Sequence, residues 1–137
     1  MLRREMHSEV SIKQLSDFLR KCSAHPEYMG DEITDSNQPG VLGDTPLHLA
    51  ARFGTAEEIT ALTKWGANLN SVGDLGHTPL HHAVIMGRGD AVNTLLSLGA
   101  RTDIRNEDGR TALDCALVSG NEAIIERLKH HLKGPRP

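Results

Sequence analysis

The sequence predicts an all-α solenoid in which short helix–turn–helix units stack side by side. First, one phrase occurs three times, as GDTPLHLAARFG, GHTPLHHAVIMG and GRTALDCALVSG, beginning at Gly43, Gly76 and Gly109. Second, these copies are 33 residues apart, a period typical of stacked repeat arrays. Third, an apolar pattern with helical spacing follows each copy at the same period, from Ile59, Val92 and Ile125.

Each unit carries start and stop residues for two helices. Thr45 is a candidate N-cap, and Pro46 after it suits the first helical position, where a missing N–H costs nothing. Gly54 ends this helix, Thr55 begins the second, and Gly66 ends it. Neither helix can bury its apolar face alone, so the units must stack on one another.

The segments TPLHLAA and GANLN, spaced as they are here, resemble the ankyrin repeat, and the resemblance covers Gly40 to about Leu132. It implies an ankyrin-repeat solenoid with short β-turn fingers, three full repeats and an N-terminal capping helix. It also implies that His48 and His81 are structural and hydrogen-bond between neighbouring units. Asp114 stands in their place in the last repeat.

The N-terminal segment contains the same second-helix pattern out of register. Ile12-x-x-Leu15 lies 47 residues before Ile59, which leaves 14 extra residues over one period. The extra chain is either a floppy linker or a functional loop, and a third interpretation is that it folds back and covers part of the apolar surface. We expect one domain with these parts: capping helix 11–22, inserted loop 23–39, repeats 40–72 and 73–105, capping repeat 106–133 and tail 134–137.

Composition argues against several classes of protein. The 137 residues carry a net charge of -3 without a basic stripe, so we expect no nucleic-acid binding. No apolar run approaches the roughly 18 residues that cross a bilayer, and the first residues lack the apolar core of a secretory signal. Cys22 and Cys115 are too few for a disulfide framework. We therefore expect a cytoplasmic protein with no membrane contact.

Candidate chemistry is sparse despite eight histidines. His77, His81 and His82 are close in sequence, but no acidic or thiol partner completes a tetrahedral metal site. Cys115 lies in the apolar stripe of a helix and has no assignable base. We expect no enzyme activity, no catalytic residue, no metal and no cofactor.

The resemblance implies that partners bind a concave face lined by the turn tips and the first helices. Apolar residues fill several slots there that could all be polar, and a contiguous exposed apolar patch typically marks an interface. The candidate partner-binding residues are Leu42, Asp44, Arg52, Phe53, Asp74, Leu75, His77, Ile85, Met86, Asp108, Arg110 and Val118.

These observations predict a non-catalytic protein–protein interaction module. Because no effector domain accompanies the array, we expect a stand-alone inhibitor that acts by occupying its target. Two alternatives remain open: a bacterial immunity protein that neutralises a cognate toxin, which some small solitary ankyrin proteins resemble, and a self-associating structural protein. The expected partner is a protein, and the expected state of the chain itself is a monomer.

Overall fold

The structure, a computed structural model, describes residues 2–133, with side chains from residue 12 onward. Over this range it contains seven α-helices, a single short 3-10 turn and no β-strand. The predicted all-α repeat fold is confirmed. The helices are α1 (Leu2–Ala24), α2 (Pro46–Phe53), α3 (Ala56–Trp65), α4 (Pro79–Ile85), α5 (Gly89–Ser97), α6 (Ala112–Ser119) and α7 (Glu122–Lys133), and the 3-10 turn is Asp74–Gly76.

The helices form two parallel rows. The first helices α2, α4 and α6 pack on one another in sequence order, as do the second helices α3, α5 and α7. Each first helix also packs on the second helix of its own unit. Both rows contribute fully buried side chains to the core, among them Leu47, Leu80, Ile59, Leu95 and Leu128. A stacked array builds one core in this way from units that have none alone.

Helix α1 takes the place of a missing second helix. It packs mainly against α3 and buries its own Phe18 and Cys22. Its bounds, Leu2–Ala24, extend beyond the expected segment 11–22 at both ends. The division of the remaining chain into repeats stays a prediction, and the predicted tail 134–137 lies outside the described residues.

Three tight turns connect the units at the same period as the helices. Backbone hydrogen bonds close them from Gly40 N–H to the Asp44 carbonyl, from Gly73 N–H to His77, and from Asn106 N–H to Arg110, at 2.8, 2.9 and 2.9 Å. The second and third turns also join directly, because the Glu107 N–H donates to the Leu75 carbonyl at 3.0 Å.

Gly76 is required at this junction between turns. Its φ is +75°, and a Cβ placed there would lie 2.7 Å from the Glu107 backbone nitrogen. Only glycine combines a left-handed backbone with this close approach.

Two histidines, one in α2 and one in α4, each connect a first helix to the turn of the next unit. The Thr45 N–H donates to His48 Nδ1 at 3.0 Å, and His48 Nε2 lies 2.9 Å from the His77 carbonyl oxygen. Because an amide only donates and a carbonyl only accepts, this pairing requires a neutral imidazole with its proton on Nε2. His81 repeats the arrangement with Thr78 and Arg110. The structural role expected for both histidines is confirmed.

The chain between α1 and α2 is tied to the array along its length. Tyr28 is buried, and the single proton of its hydroxyl is shared by the carbonyls of Gln38 at 2.6 Å and Asp44 at 3.1 Å. Asn37 donates to the Gly66 carbonyl and accepts from the Asn68 N–H at the end of α3. The connection therefore has a defined path with its own buried contacts, unlike a floppy linker.

Candidate functional site

An open groove of about 510 Å³ lies between the turns and the C-terminal ends of α2 and α4. We call it the first groove. It brings together eight of the twelve predicted partner-binding residues, together with five that are outside that predicted set. Its lining is His25, Pro26, Glu27, Val41, Leu42, Asp44, Arg52, Asp74, Leu75, His77, His82, Ile85 and Met86.

The apolar side chains of the first groove face solvent. Leu42 is 61% exposed, Leu75 58%, Met86 53% and Ile85 47%. They belong to two successive turns and to the end of one first helix, so the fold assembles them from separate parts of the sequence. An exposed apolar patch of this kind is typical of a protein interface.

Two carboxylates of the first groove serve the fold. Glu27 Oε1 accepts the N–H groups of Leu42 at 2.8 Å and Asp44 at 3.1 Å. Asp44 Oδ1 accepts the Asp74 N–H at 3.0 Å, and Asp44 is only 3% exposed. Asp44 was predicted as a partner contact, and the structure places its carboxylate where it holds the next turn.

Two other charged side chains of the groove are left without such contacts. Arg52, in the last turn of α2, and Asp74, in the 3-10 turn, are both half-buried. Neither side chain has a hydrogen bond or ion pair to any residue in the described part of the chain, and they do not pair with each other. Both are available to a bound molecule.

Histidines form the floor of the groove. The His82 ring lies 5.5 Å from the His48 ring and 5.3 Å from the His77 ring. Burial lowers the pKa of His48 to about 4, and burial also lowers the pKa of His77 and His81. These three rings are therefore neutral at neutral pH.

The Asp44 carboxylate lies next to the His82 ring. His82 Nε2 lies 3.7 Å from Asp44 Oδ1 and is buried without a hydrogen-bond partner among residues 12–133. Burial opposes ionisation of Asp44, but the contact with His82 and the hydrogen bond from the Asp74 N–H outweigh it and hold the pKa of Asp44 below its ordinary value. Asp44 therefore stays charged.

A smaller groove of about 260 Å³, the second groove, adjoins the first and shares His77 and Ile85 with it. It contains three further predicted residues, Asp108, Arg110 and Val118. Its lining is His77, Ile85, Asn106, Asp108, Arg110, Cys115, Val118 and Ser119.

Phe53 is the predicted site residue that lines neither groove. Its ring centroid lies 5.9 Å from that of Phe18 and 5.7 Å from that of His25, on which it stacks. The capping helix and the residue after it therefore already engage Phe53, although 46% of it stays exposed.

Two parts of the groove were missed from the sequence. His25, Pro26 and Glu27 form one wall, and they belong to the inserted connection, which has no counterpart at the 33-residue period. His82 was considered only as a metal ligand. Its place next to His81, at the start of a first helix whose end was already assigned to the binding face, could have indicated a groove residue.

The described residues offer little for catalysis. No group of three or more His, Cys, Asp or Glu side chains within residues 12–133 is arranged to hold a metal ion. Both cysteines are buried and unpaired with each other. Burial raises the pKa of the Cys22 thiol to about 12 and also raises that of Cys115, whereas a nucleophilic cysteine needs a lowered pKa. No helix in the described range is long and apolar enough to span a bilayer.

Comparison with known families identifies the class of protein. A family model for ankyrin repeats, in three copies, matches residues 24–106. The chain belongs to the ankyrin-repeat family. Repeats of this family generally mediate protein–protein interaction and are typically non-catalytic. A search of curated proteins found no match.

Proposed function

We propose that this protein binds a partner protein in the first groove and acts as a stand-alone inhibitor by occupying its target. The observation that carries the proposal is the cluster of solvent-facing apolar side chains at Leu42, Leu75, Ile85 and Met86. Apolar anchors surrounded by polar groups are the usual composition of the energetic centre of an interface. We further propose that the protein acts as a monomer in the cytoplasm.

The inserted connection supports the choice of this surface. It contributes His25, Pro26 and Glu27 as a wall while leaving the apolar side chains exposed. A loop that served only to cover an apolar patch would bury these side chains. The arrangement instead widens a preformed groove, which keeps the ordering cost of binding low.

The test is capture of a partner from lysate of the native host by the wild-type protein and by Leu75→Asp/Met86→Asp. Both substitutions place a carboxylate on an exposed position of the groove, so we expect the fold to persist and specific capture to be lost. Ile12→Asp/Leu132→Asp is the matched control, because it changes two exposed apolar residues outside both grooves. This control should capture as wild type does.

The inhibitor role needs a second readout. A captured protein with measurable activity should lose that activity on addition of the wild-type chain and keep it with Leu75→Asp/Met86→Asp. A toxin as the captured protein would identify an immunity protein, and recovery of this chain itself would indicate self-association. Equal capture by the groove variant and the control would contradict the proposed binding surface.

A further inference from the structure

We infer that the first groove selects a bound segment by its charges, taking a carboxylate at Arg52 and a cationic side chain at Asp74, with apolar side chains between them. The inference rests on the proposed function, since it assumes that the first groove is the binding surface. It adds the chemistry and the direction of the segment that the groove accepts.

The Arg52 guanidinium and the Asp74 carboxylate are the two charged groups of this groove that lack a hydrogen bond or ion pair within the described residues. Glu27 and Asp44 are buried, and each accepts backbone N–H groups. Arg52 and Asp74 have no hydrogen-bond or ion-pair partner in the part of the chain that the structure describes. Both are half-buried beside apolar side chains, so each has lost part of its hydration without gaining a hydrogen bond or ion pair in return.

An opposite charge on a partner would satisfy each of them. A guanidinium pairs with a carboxylate through two parallel N–H···O bonds, which fixes the geometry as well as the charge. A lysine or arginine of the partner would form an ion pair with the Asp74 carboxylate. Exclusion of water by the surrounding apolar contacts strengthens both pairs relative to pairs on an open surface.

The fold separates the two charges along the groove. The Asp74 N–H bonds to Asp44, so Asp74 lies beside the residues that precede α2. Arg52 is in the last turn of α2. Arg52 lies six positions after Pro46 on the helix, and a rise of about 1.5 Å per residue places its backbone on the order of 10 Å from the start of α2. A segment with an acidic and a basic side chain at this separation fits in one direction only.

The probe is a phage library of random short peptides, selected on the wild-type protein and counter-selected on Leu75→Asp/Met86→Asp. Peptides that survive bind through the first groove. We expect them to combine an acidic residue, apolar residues and a basic residue. Their dissociation constants, measured by fluorescence anisotropy, should rise by about tenfold or more for Arg52→Gln and for Asp74→Asn.

Charge reversal tests the direction of binding. A peptide whose acidic residue is replaced by lysine should bind wild type poorly and regain affinity for Arg52→Glu. Arg20→Gln is the control, because Arg20 is exposed and pairs with Asp17 on α1, away from both grooves. It should leave the dissociation constants unchanged.

The outcomes separate this inference from the proposed function. Groove-dependent peptides without charge preference, bound equally by wild type, Arg52→Gln and Asp74→Asn, would overturn the inference and leave groove binding intact. A selection that yields no peptide dependent on Leu75 and Met86 would count against both.

Discussion

At the scale of single residues, the histidines of the TPLH-type motifs are used in their neutral form. His48 accepts the Thr45 N–H with one ring nitrogen and meets the His77 carbonyl with the other. A second proton on Nδ1 would face a donor and break the first bond. Protonation of this residue therefore opposes the bond at the start of α2, whereas the bond from Nε2 to the His77 carbonyl of the next unit keeps its donor.

We predict that acid destabilises the protein through these histidines. Burial lowers the pKa of His48 to about 4 in the folded state, against 6.5 as its ordinary value. The unfolded chain therefore binds the proton first as the pH falls, and stability present above pH 6.5 is lost progressively down to about pH 4. For His48 the loss is on the order of 3 kcal/mol, measurable by urea unfolding across this range.

Variants assign the effect to His48. His48→Gln should lower stability at neutral pH, because the inter-repeat bonds are disturbed, and should flatten the acidic decline. His130→Gln changes an exposed histidine of α7 and should leave the profile as in wild type. A decline of the same steepness in His48→Gln would show that another group binds the proton.

At the scale of elements, the repeat period determined most of the fold. Thr45, Thr78 and Thr111 begin the three first helices, as their sequence position predicts. The period could not place the connection between α1 and α2, because nothing else in the chain repeats it. Tyr28 and Glu27 make contacts with residues ten or more positions away, and such pairings leave no local pattern in a sequence.

The candidate site also contains residues that the repeat pattern predicts and residues that it does not. Leu75, Ile85 and Met86 could be selected from the sequence because they occupy variable slots of a recognised repeat. The groove wall at His25 could not be selected in this way, because it has no counterpart at the 33-residue period. Phe53 occupies an equivalent slot, but its ring packs next to Phe18 and His25, which come from the element without a repeat counterpart.

We predict that the tyrosine hydroxyl holds the inserted connection in place. Tyr28→Phe removes the donor shared by the carbonyls of Gln38 and Asp44, so the partly buried Gln38 carbonyl loses its partner while the Asp44 carbonyl keeps the Gly40 N–H. The expected cost is about 1–3 kcal/mol, seen as a lower denaturant midpoint at unchanged slope. Thr34→Val removes an exposed hydroxyl from the same segment and should have little effect. Equal midpoints for Tyr28→Phe and wild type would mean that water replaces the lost donor.

At the scale of the whole molecule, stability is divided among neighbours. Helix α1 touches α2 and α3, whereas α7 touches α5 and α6. In an array of this kind stability is approximately a sum of unit and interface terms, so damage at one end is felt first at that end. The first groove lies between these ends and takes its lining from the connection after the capping helix and from the first two units of the array.

We predict that Phe18→Ala weakens the N-terminal end selectively. The buried ring packs between α1 and the array, and its removal should cost about 3–5 kcal/mol. Hydrogen exchange should then show the largest loss of protection in α1, α2 and α3 and the smallest in α7. Leu128→Ala, at the other end, should show the reverse gradient. Equal loss of protection along the array in both variants would mean that the chain unfolds as one unit, and the groove would then be only as stable as the whole molecule.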